Sequence, residues 1–369
     1  MLSNNQQAFL ALVRAGLWEK EVQLLAFGKT DFSEVYRLAQ EQSISGLVAA
    51  GLEHVADTKI PQEIALTFAG ETLQIEQRNI AMNFFIGVIV DKMRNAGIYT
   101  LLIKGQGVAQ CYERPLWRAS GDIDFYLSES NYKKAIQFLR PLASNVEKED
   151  LFKKHLAFTL VPWEVELHGS LRCGLWRRLD DTLDEVHNKI FCGGAVRMWM
   201  NGSSQVFLPR ADEDAVFVFA HILQHFFKGG IGLRQVCDWC RLLWTYRGSI
   251  KDDLLEQYLK GMQMMSEWKA FAALAVDFLG MPAEAMPFYS PARCWKRKAS
   301  RILAIIFETG NFGHNIDNSY YQNKSFLIRK IISFYRHSMY SIKCGCIFPY
   351  DSTRLWGKMF REGLIGINE

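Results

Sequence analysis

A chain of 369 residues, 49% apolar and 22% charged, has the balance of an ordinary globular protein with room for two domains or one core with helical additions. Its net charge of +4 is too small to imply nucleic-acid binding by itself, so any basic patch must be local. Eight cysteines scattered without a small-domain framework, and no leader-like N-terminus, exclude a disulfide scaffold and give a cytoplasmic expectation.

Residues 1–98 read as a helical region. Gln7 to Arg14, Ser33 to Gln42 and Pro61 to Asn95 carry apolar residues at a spacing of three to four, with Asp31 and Pro61 as start signals. These helices are expected to pack around whatever sheet follows. The apolar run from Phe84 to Val90 is far too short to span a membrane, and no transmembrane segment is expected.

Residues 99–210 change character and form the expected core. Tyr99 to Ile103 reads as a short strand that breaks at Lys104-Gly105 into a helix from Gln106 to Tyr112. Gly105 and Gly107 permit close backbone approach, and a helix start offers free N–H groups to an anion. In Gly121-Asp-Ile-Asp-Phe-Tyr-Leu127 the apolar Ile123, Phe125 and Leu127 alternate with Asp122, Asp124 and Tyr126. That period of two places both carboxylates on one strand face, about 6–7 Å apart. Paired carboxylates repel unless a proton or cation lies between them, and hard divalent ions take carboxylate oxygens together with substrate phosphates. The plainer reading of such a pair is a solvated strand face.

A helix is expected from Ser128 to Leu142. His155 to Leu160 and Glu164 to His168 then read as paired strands about a Pro162-Trp163 turn. Val186 to Lys189 reads as the approach to another extended stretch, and Gln205 to Leu208 as a strand that stops at Pro209. From 211 to 369 the chain is expected to be helical again: Ala211 to Lys228, Leu233 to Tyr246, Lys251 to Met262, Met265 to Leu279 and Pro291 to Phe307, with Gly310 to Lys324 as a polar loop.

Lys104-Gly105, Arg118, Asp122-Ile-Asp124 and Val165-Glu-Leu-His168 occur in an order and spacing that resembles the nucleotidyltransferases of the DNA polymerase β-like superfamily. The likeness is to their uncharacterised bacterial branch and covers roughly residues 99–245. The resemblance implies an α+β fold, a small mixed sheet of the polymerase β-like type between N- and C-terminal helical regions. It implies metal-dependent transfer of a nucleoside monophosphate from a nucleotide triphosphate, ATP first, to an unknown acceptor with release of pyrophosphate. Asp122, Asp124 and Glu166 would be the catalytic and metal-binding set, holding Mg²⁺ or Mn²⁺, with Glu164 as rival for the third place. Lys104, Gly105, Arg118 and Ser120 would meet the phosphates.

The chain departs from the superfamily in having Gln106 where many members have Ser, and in the longer insert from Glu113 to Ser120. This leaves a degenerate nucleotidyltransferase fold acting as a binding or regulatory module as the alternative. An Asp-x-Asp glycosyltransferase is a further one, although it would need a nucleotide-binding α/β layer where the first 97 residues read as helical.

Other groupings have ordinary readings. His221 and His225, four apart on a helix without an adjacent Glu, read as satisfied half-buried histidines rather than zinc ligands. Arg234 and Asp238 read as an i,i+4 helix pair, with a place in a pocket wall as the functional option. Cys237, Cys240, Cys344 and Cys346 read as buried thiols. The basic and aromatic stretch 324–343 reads as a packed helix. Contact with a membrane surface, a nucleic acid or a protein partner is its other reading.

Overall fold

The computed structural model describes residues 2–315 and 325–365. Its N-terminal part contains α1 (Asn4–Trp18), α2 (Phe32–Glu41), α3 (Ser45–Leu52) and the long α4 (Gln62–Asn95). Ser3 Oγ accepts from the Gln6 amide while Ser3 N–H donates to Gln6 Oε1, a reciprocal cap that starts α1. Helix α3 has no counterpart in the expected elements, because Ser-Gly-Leu-Val-Ala-Ala-Gly-Leu carries no polar stripe for a 3.6-residue period to reveal. It forms against α1 at backbone contact: a Cβ on Gly16 would lie 2.0 Å from Leu47 O, and one on Gly51 2.1 Å from Leu12 O. Gly51→Ala is therefore expected to cost about 1–3 kcal/mol through overpacking, read as a lower midpoint in urea denaturation.

The sheet follows. In chain order its parts are β1 (Leu101–Ile103), α5 (Gly105–Ala109), β2 (Ile123–Tyr126), α6 (Glu129–Leu139), β3 (Asn145–Val146), β4 (His155–Leu160) and β5 (Trp163–His168). Helix α7 (Arg177–Phe191), β6 (Arg197–Asn201) and β7 (Ser204–Leu208) complete it. The seven strands lie in the order β3-β4-β5-β2-β1-β7-β6, with β2/β5 and β1/β7 parallel and the other neighbours antiparallel. The protein is thus an α+β fold with a mixed sheet flanked by helices.

Three local expectations need correction. The helix after Lys104 stops at Ala109, and β1 begins at Leu101, leaving Tyr99 exposed. Val186 to Lys189 is helical, since Leu179, Leu183, Val186 and Ile190 form a buried stripe at helical spacing on α7. The β4/β5 hairpin turns at Val161-Pro162, with Trp163 already paired to Leu160.

One face of the sheet packs Leu102, Ile123, Phe125, Val165 and Leu167 against Met82, Ile86 and Met93 of α4 and Tyr132 of α6. The opposite face, which carries Asp124, Tyr126, Glu166 and His168, is covered by α7 and by the C-terminal helices. These are α8 (Ala211–Lys228), α9 (Leu233–Thr245), α10 (Asp252–Gly261), α11 (Met265–Asp277), α12 (Arg293–Thr309), α13 (Phe326–Gly345) and α14 (Pro349–Ile365). A single apolar cluster joins α1–α3 to this C-terminal set. Buried Arg241 on α9 ties the two, donating to Leu17 O at 3.0 Å and Cys111 O at 2.8 Å.

Among the described residues no helix is long and apolar enough to cross a membrane. Helix α13 packs Phe334 against Trp356 and Phe360 of α14 while leaving Ile331, Tyr335 and Ile342 exposed. Residues 316–324, most of the expected polar loop and the start of the basic stretch, lie outside the described residues. Cys237, Cys240 and Cys344 are buried as expected, but Cys346 is exposed because it follows the last turn of α13.

The first turn of α8 carries Asp212, Glu213 and Asp214. Glu213 is buried, and burial followed by the Asp212 charge pushes its carboxyl up to about 7. A carboxyl raised in the fold leaves stability intact below its unfolded pKa, near 4.3, and lowers it as pH climbs through 7. Glu213→Gln is expected to raise the melting temperature at pH 8 and leave it unchanged at pH 4. An equal shift at both pH values would show that ionisation of Glu213 is not the cause.

Candidate functional site

The parallel pairing of β2 with β5 sets Asp124 directly beside Glu166, and the antiparallel pairing of β1 with β2 sets Ile103 beside Asp124. Asp122 lies one residue before β2, at the mouth of the sheet. One carboxylate oxygen each from Asp122, Asp124 and Glu166 lies within 4.8 Å of the others. Asp124 is 2% exposed, Glu166 half-buried and Asp122 open to the cavity above. Glu164, the rival third carboxylate, accepts from Thr159 Oγ1 on the neighbouring β4 and is not part of this group.

Cations and imidazoles surround the carboxylates. Lys104 occupies φ 55°, ψ −147°, a backbone conformation that costs a non-glycine residue about 1–3 kcal/mol and that clusters at functional sites. Its Nζ lies 2.6 Å from Asp124 Oδ1. His168 Nε2 lies 2.8 Å from the same oxygen and 3.4 Å from Glu166 Oε2, which His155 Nε2 approaches to 3.0 Å. Burial disfavours charge on Lys104, but Asp124, Asp122 and Glu166 outweigh it and raise its pKa. His168 is raised in the same way, its burial overcome by hydrogen bonds to Asp124 and Glu166. Burial also opposes ionisation of Glu166, yet the bonds to His155 and His168 hold its carboxyl well below the usual range. Asp122 is raised, first by the neighbouring Asp124 charge and then by burial.

Arg118 and Ser120 have other commitments. Arg118 grips Asp238 with Nε–Oδ1 at 2.8 Å and Nη2–Oδ2 at 2.7 Å, and its Nη1 donates to Ser120 Oγ at 2.7 Å. Tyr112 donates to Asp238 Oδ1 at 2.8 Å. The expected i,i+4 pair of Arg234 with Asp238 is therefore replaced. Arg118 arrives from the insert with a fork matched to the carboxylate, and Arg234 donates instead to Ala119 O at 3.1 Å. Gln106 does not face the cavity. Its Nε2 donates to Asn79 Oδ1 at 2.7 Å and Ser120 Oγ at 3.2 Å, while Asn79 donates to Leu116 O and Arg118 O. The residue that departs from the superfamily pattern thus clamps the insert to α4.

Two cavities adjoin the carboxylates. The smaller, about 60 Å³, lies among Lys104, Gly105, Arg118, Asp122 and Asp124 under α8 and α9. The larger, about 570 Å³, is in the range that holds a nucleotide-sized ligand. It brings Lys153, Arg172 and Lys228 to the space shared by Lys104, Asp122 and Glu166. Ser120 lines neither cavity.

Helix α8 closes one wall with Phe217, His221 and His225. The two histidines are half-buried, as expected, but among the described residues they have ring contacts and no hydrogen-bond partner. His221 stacks edge-on to His225 at 4.4 Å, and His225 lies against Phe312 at 4.7 Å. Burial, then the Lys104 charge, lowers both, His225 to about 4, so at neutral pH this wall is an uncharged aromatic surface.

Sequence reasoning missed His155, Lys153 and Lys228. For His155 a signal existed: once 155–160 and 163–168 pair through a two-residue turn, His155 must face His168, the register observed. Lys153 and Lys228 are brought in by a loop and by the end of α8, and no local pattern marks them.

The family model described as an uncharacterised nucleotidyltransferase matches residues 28–280. No curated protein and no solved structure matches the chain. This protein belongs to that nucleotidyltransferase family.

Proposed function

We propose that this family member moves a nucleoside monophosphate from a nucleoside triphosphate to an acceptor hydroxyl, on a sheet of the polymerase β-like kind. The observation that carries the reading is the meeting of Asp122, Asp124 and Glu166 within 4.8 Å at the mouth of the larger cavity. Three hard oxygen donors suit Mg²⁺ or Mn²⁺, and these side chains would hold the ion. When bound, the ion neutralises charge on the triphosphate and polarises its phosphoryl oxygens.

The protein's own part is positioning. His155 and His168 keep Glu166 ionised and fix its orientation, and Lys104 and His168 hold the Asp124 carboxylate in place through contacts at 2.6 and 2.8 Å. Lys104 and the backbone at Gly105 face the phosphates. Arg118 and Ser120 support that turn from beneath, since their polar atoms are already bonded to Asp238 and to each other. The acceptor oxygen bonds to the α-phosphorus as the bond to the bridging oxygen breaks. Pyrophosphate leaves, and the hydroxyl proton passes to a carboxylate of the cluster.

A second reading, a nucleotide-binding regulatory module, is favoured by one contact: the Lys104 ammonium already neutralises Asp124 at 2.6 Å. Membership of a nucleotidyltransferase family speaks against the glycosyltransferase reading. The test supplies each of the four nucleoside triphosphates labelled on the α-phosphate, ATP first, with Mg²⁺ or Mn²⁺ and a panel of small-molecule, protein and polynucleotide acceptors. Metal-dependent pyrophosphate release matched by label on one acceptor is expected. Nucleotide binding without any label transfer would decide for the module.

A further inference from the structure

We propose that the acceptor is a single-stranded nucleic acid, seated in a basic trough that leads from the carboxylates to the C-terminal helix. The inference rests on the nucleotidyl-transfer reading for the placing of the strand's terminal hydroxyl at Asp122. A cavity of about 890 Å³ adjoins the catalytic one and shares Arg172 as a wall. Together they exceed what a nucleoside triphosphate fills.

In the second cavity Arg177 and Arg178 of α7 face Arg354, Lys358 and Arg361 of α14. The two cavities are lined by nine cationic side chains and four carboxylates, and of the nine Lys104, Lys153, Arg172 and Arg354 also pair with Asp124, Asp150, Asp184 and Asp351 behind the walls. One of the lining carboxylates, Asp180, is turned inward and accepts from the amides of Cys173 and Gly174 at 2.9 and 3.1 Å. Cationic side chains therefore outnumber carboxylates on the walls of one path that ends at the candidate active site, with Arg178, Lys228 and Arg361 among those that no carboxylate pairs with in the described residues.

Aromatic faces narrow the ligand. Phe152 is 52% exposed with the Arg172 guanidinium 5.2 Å from its ring, and Tyr350 is 70% exposed with that of Arg354 at 5.2 Å. Asp184 holds Arg172 in place through its Nε and Nη2. Exposed rings backed by guanidinium planes along a cationic groove match a ligand that alternates flat bases with phosphates. A phosphopeptide has no repeating π-face, a duplex hides its base faces, and a membrane surface cannot enter a concave trough.

The test is fluorescence anisotropy on the full chain with labelled mixed-sequence 12-mers of RNA and DNA, without nucleotide, over a range of salt. Binding of either single strand is expected. Arg178→Glu with Arg361→Glu should weaken it at least tenfold and lower the salt slope, by about 0.7 for each phosphate that is no longer neutralised. Phe152→Ala with Tyr350→Ala should also weaken it about tenfold, with the slope unchanged. Circular dichroism and nucleotide binding should match wild type in both.

Preference for duplex, for an acidic phosphopeptide or for anionic vesicles would overturn the proposal, as would charge reversal that leaves affinity within twofold. A strand that binds in the trough yet accepts no label from any nucleotide would leave this site standing and defeat the transfer reading. Label on a small molecule with no strand binding would do the reverse.

Discussion

Asp122→Asn is expected to cut pyrophosphate release at least about a hundredfold while leaving the melting temperature at or above that of wild type. Charge stabilisation at such a centre is worth several kcal/mol, and each 1.36 kcal/mol is a factor of ten in rate. The stability half of the expectation follows from the electrostatics. Asp122 has no ion pair among the described residues, and the adjacent Asp124 charge together with burial raises its pKa, so its ionised form is disfavoured in the fold. Asparagine removes that repulsion at nearly constant volume. Asp124→Asn should behave differently although it lies two residues away. It strips a buried partner from Lys104 at 2.6 Å and His168 at 2.8 Å, which should cost about 3–5 kcal/mol in addition to the activity. Urea denaturation beside a pyrophosphate assay checks both. Wild-type turnover in Asp122→Asn, once an active acceptor is in hand, would remove this residue from the catalytic set.

The second large effect is expected at Asp238. Asp238→Ala should lower stability by about 3–5 kcal/mol, because the Arg118 guanidinium and the Tyr112 hydroxyl lose their shared partner in a site where the Arg118 and Asp238 side chains are each only 7% exposed. Any loss of turnover would then follow from a displaced insert rather than from a missing acceptor contact. The double variant Asp238→Ala, Arg118→Met should recover part of the loss, since it removes the stranded charge as well. A single Asp238→Ala variant as stable as wild type would show that the Arg118 grip is not what holds the insert between α4 and α9.

Local pattern carried the parts of this protein that depend on one element at a time. The alternation from Gly121 to Leu127 told which side chains share a sheet face, and Ile123, Phe125 and Leu127 do pack beneath while Asp124 and Tyr126 point the other way. The spacing of apolar residues found α4, α8 and α9, because a stripe of period 3.6 is written within the helix itself. The resemblance carried by Lys104-Gly105, Asp122-Ile-Asp124 and Glu166 to His168 pointed to a nucleotidyltransferase family, and the three carboxylates meet in space.

What the sequence could not carry was the choice among partners far apart in the chain. Arg118 had Asp238, 120 residues away, and Asp238 had Arg234 one helical turn away. Only the docking of the insert against α9 made the distant pair the one formed. The polar face of the sheet was legible as a face but not as a buried one, because burial depends on α7 and α8 closing over it. Gln106 looked like a defect at a phosphate turn until Asn79 and Ser120 were seen on either side of it. Helix α3 was invisible because its signal is the absence of side chains, Gly16 and Gly51, where two backbones touch. Periodicity is a property of one segment, whereas ion-pair choice, burial and backbone contact are properties of two, and only the tertiary structure brings the second within reach.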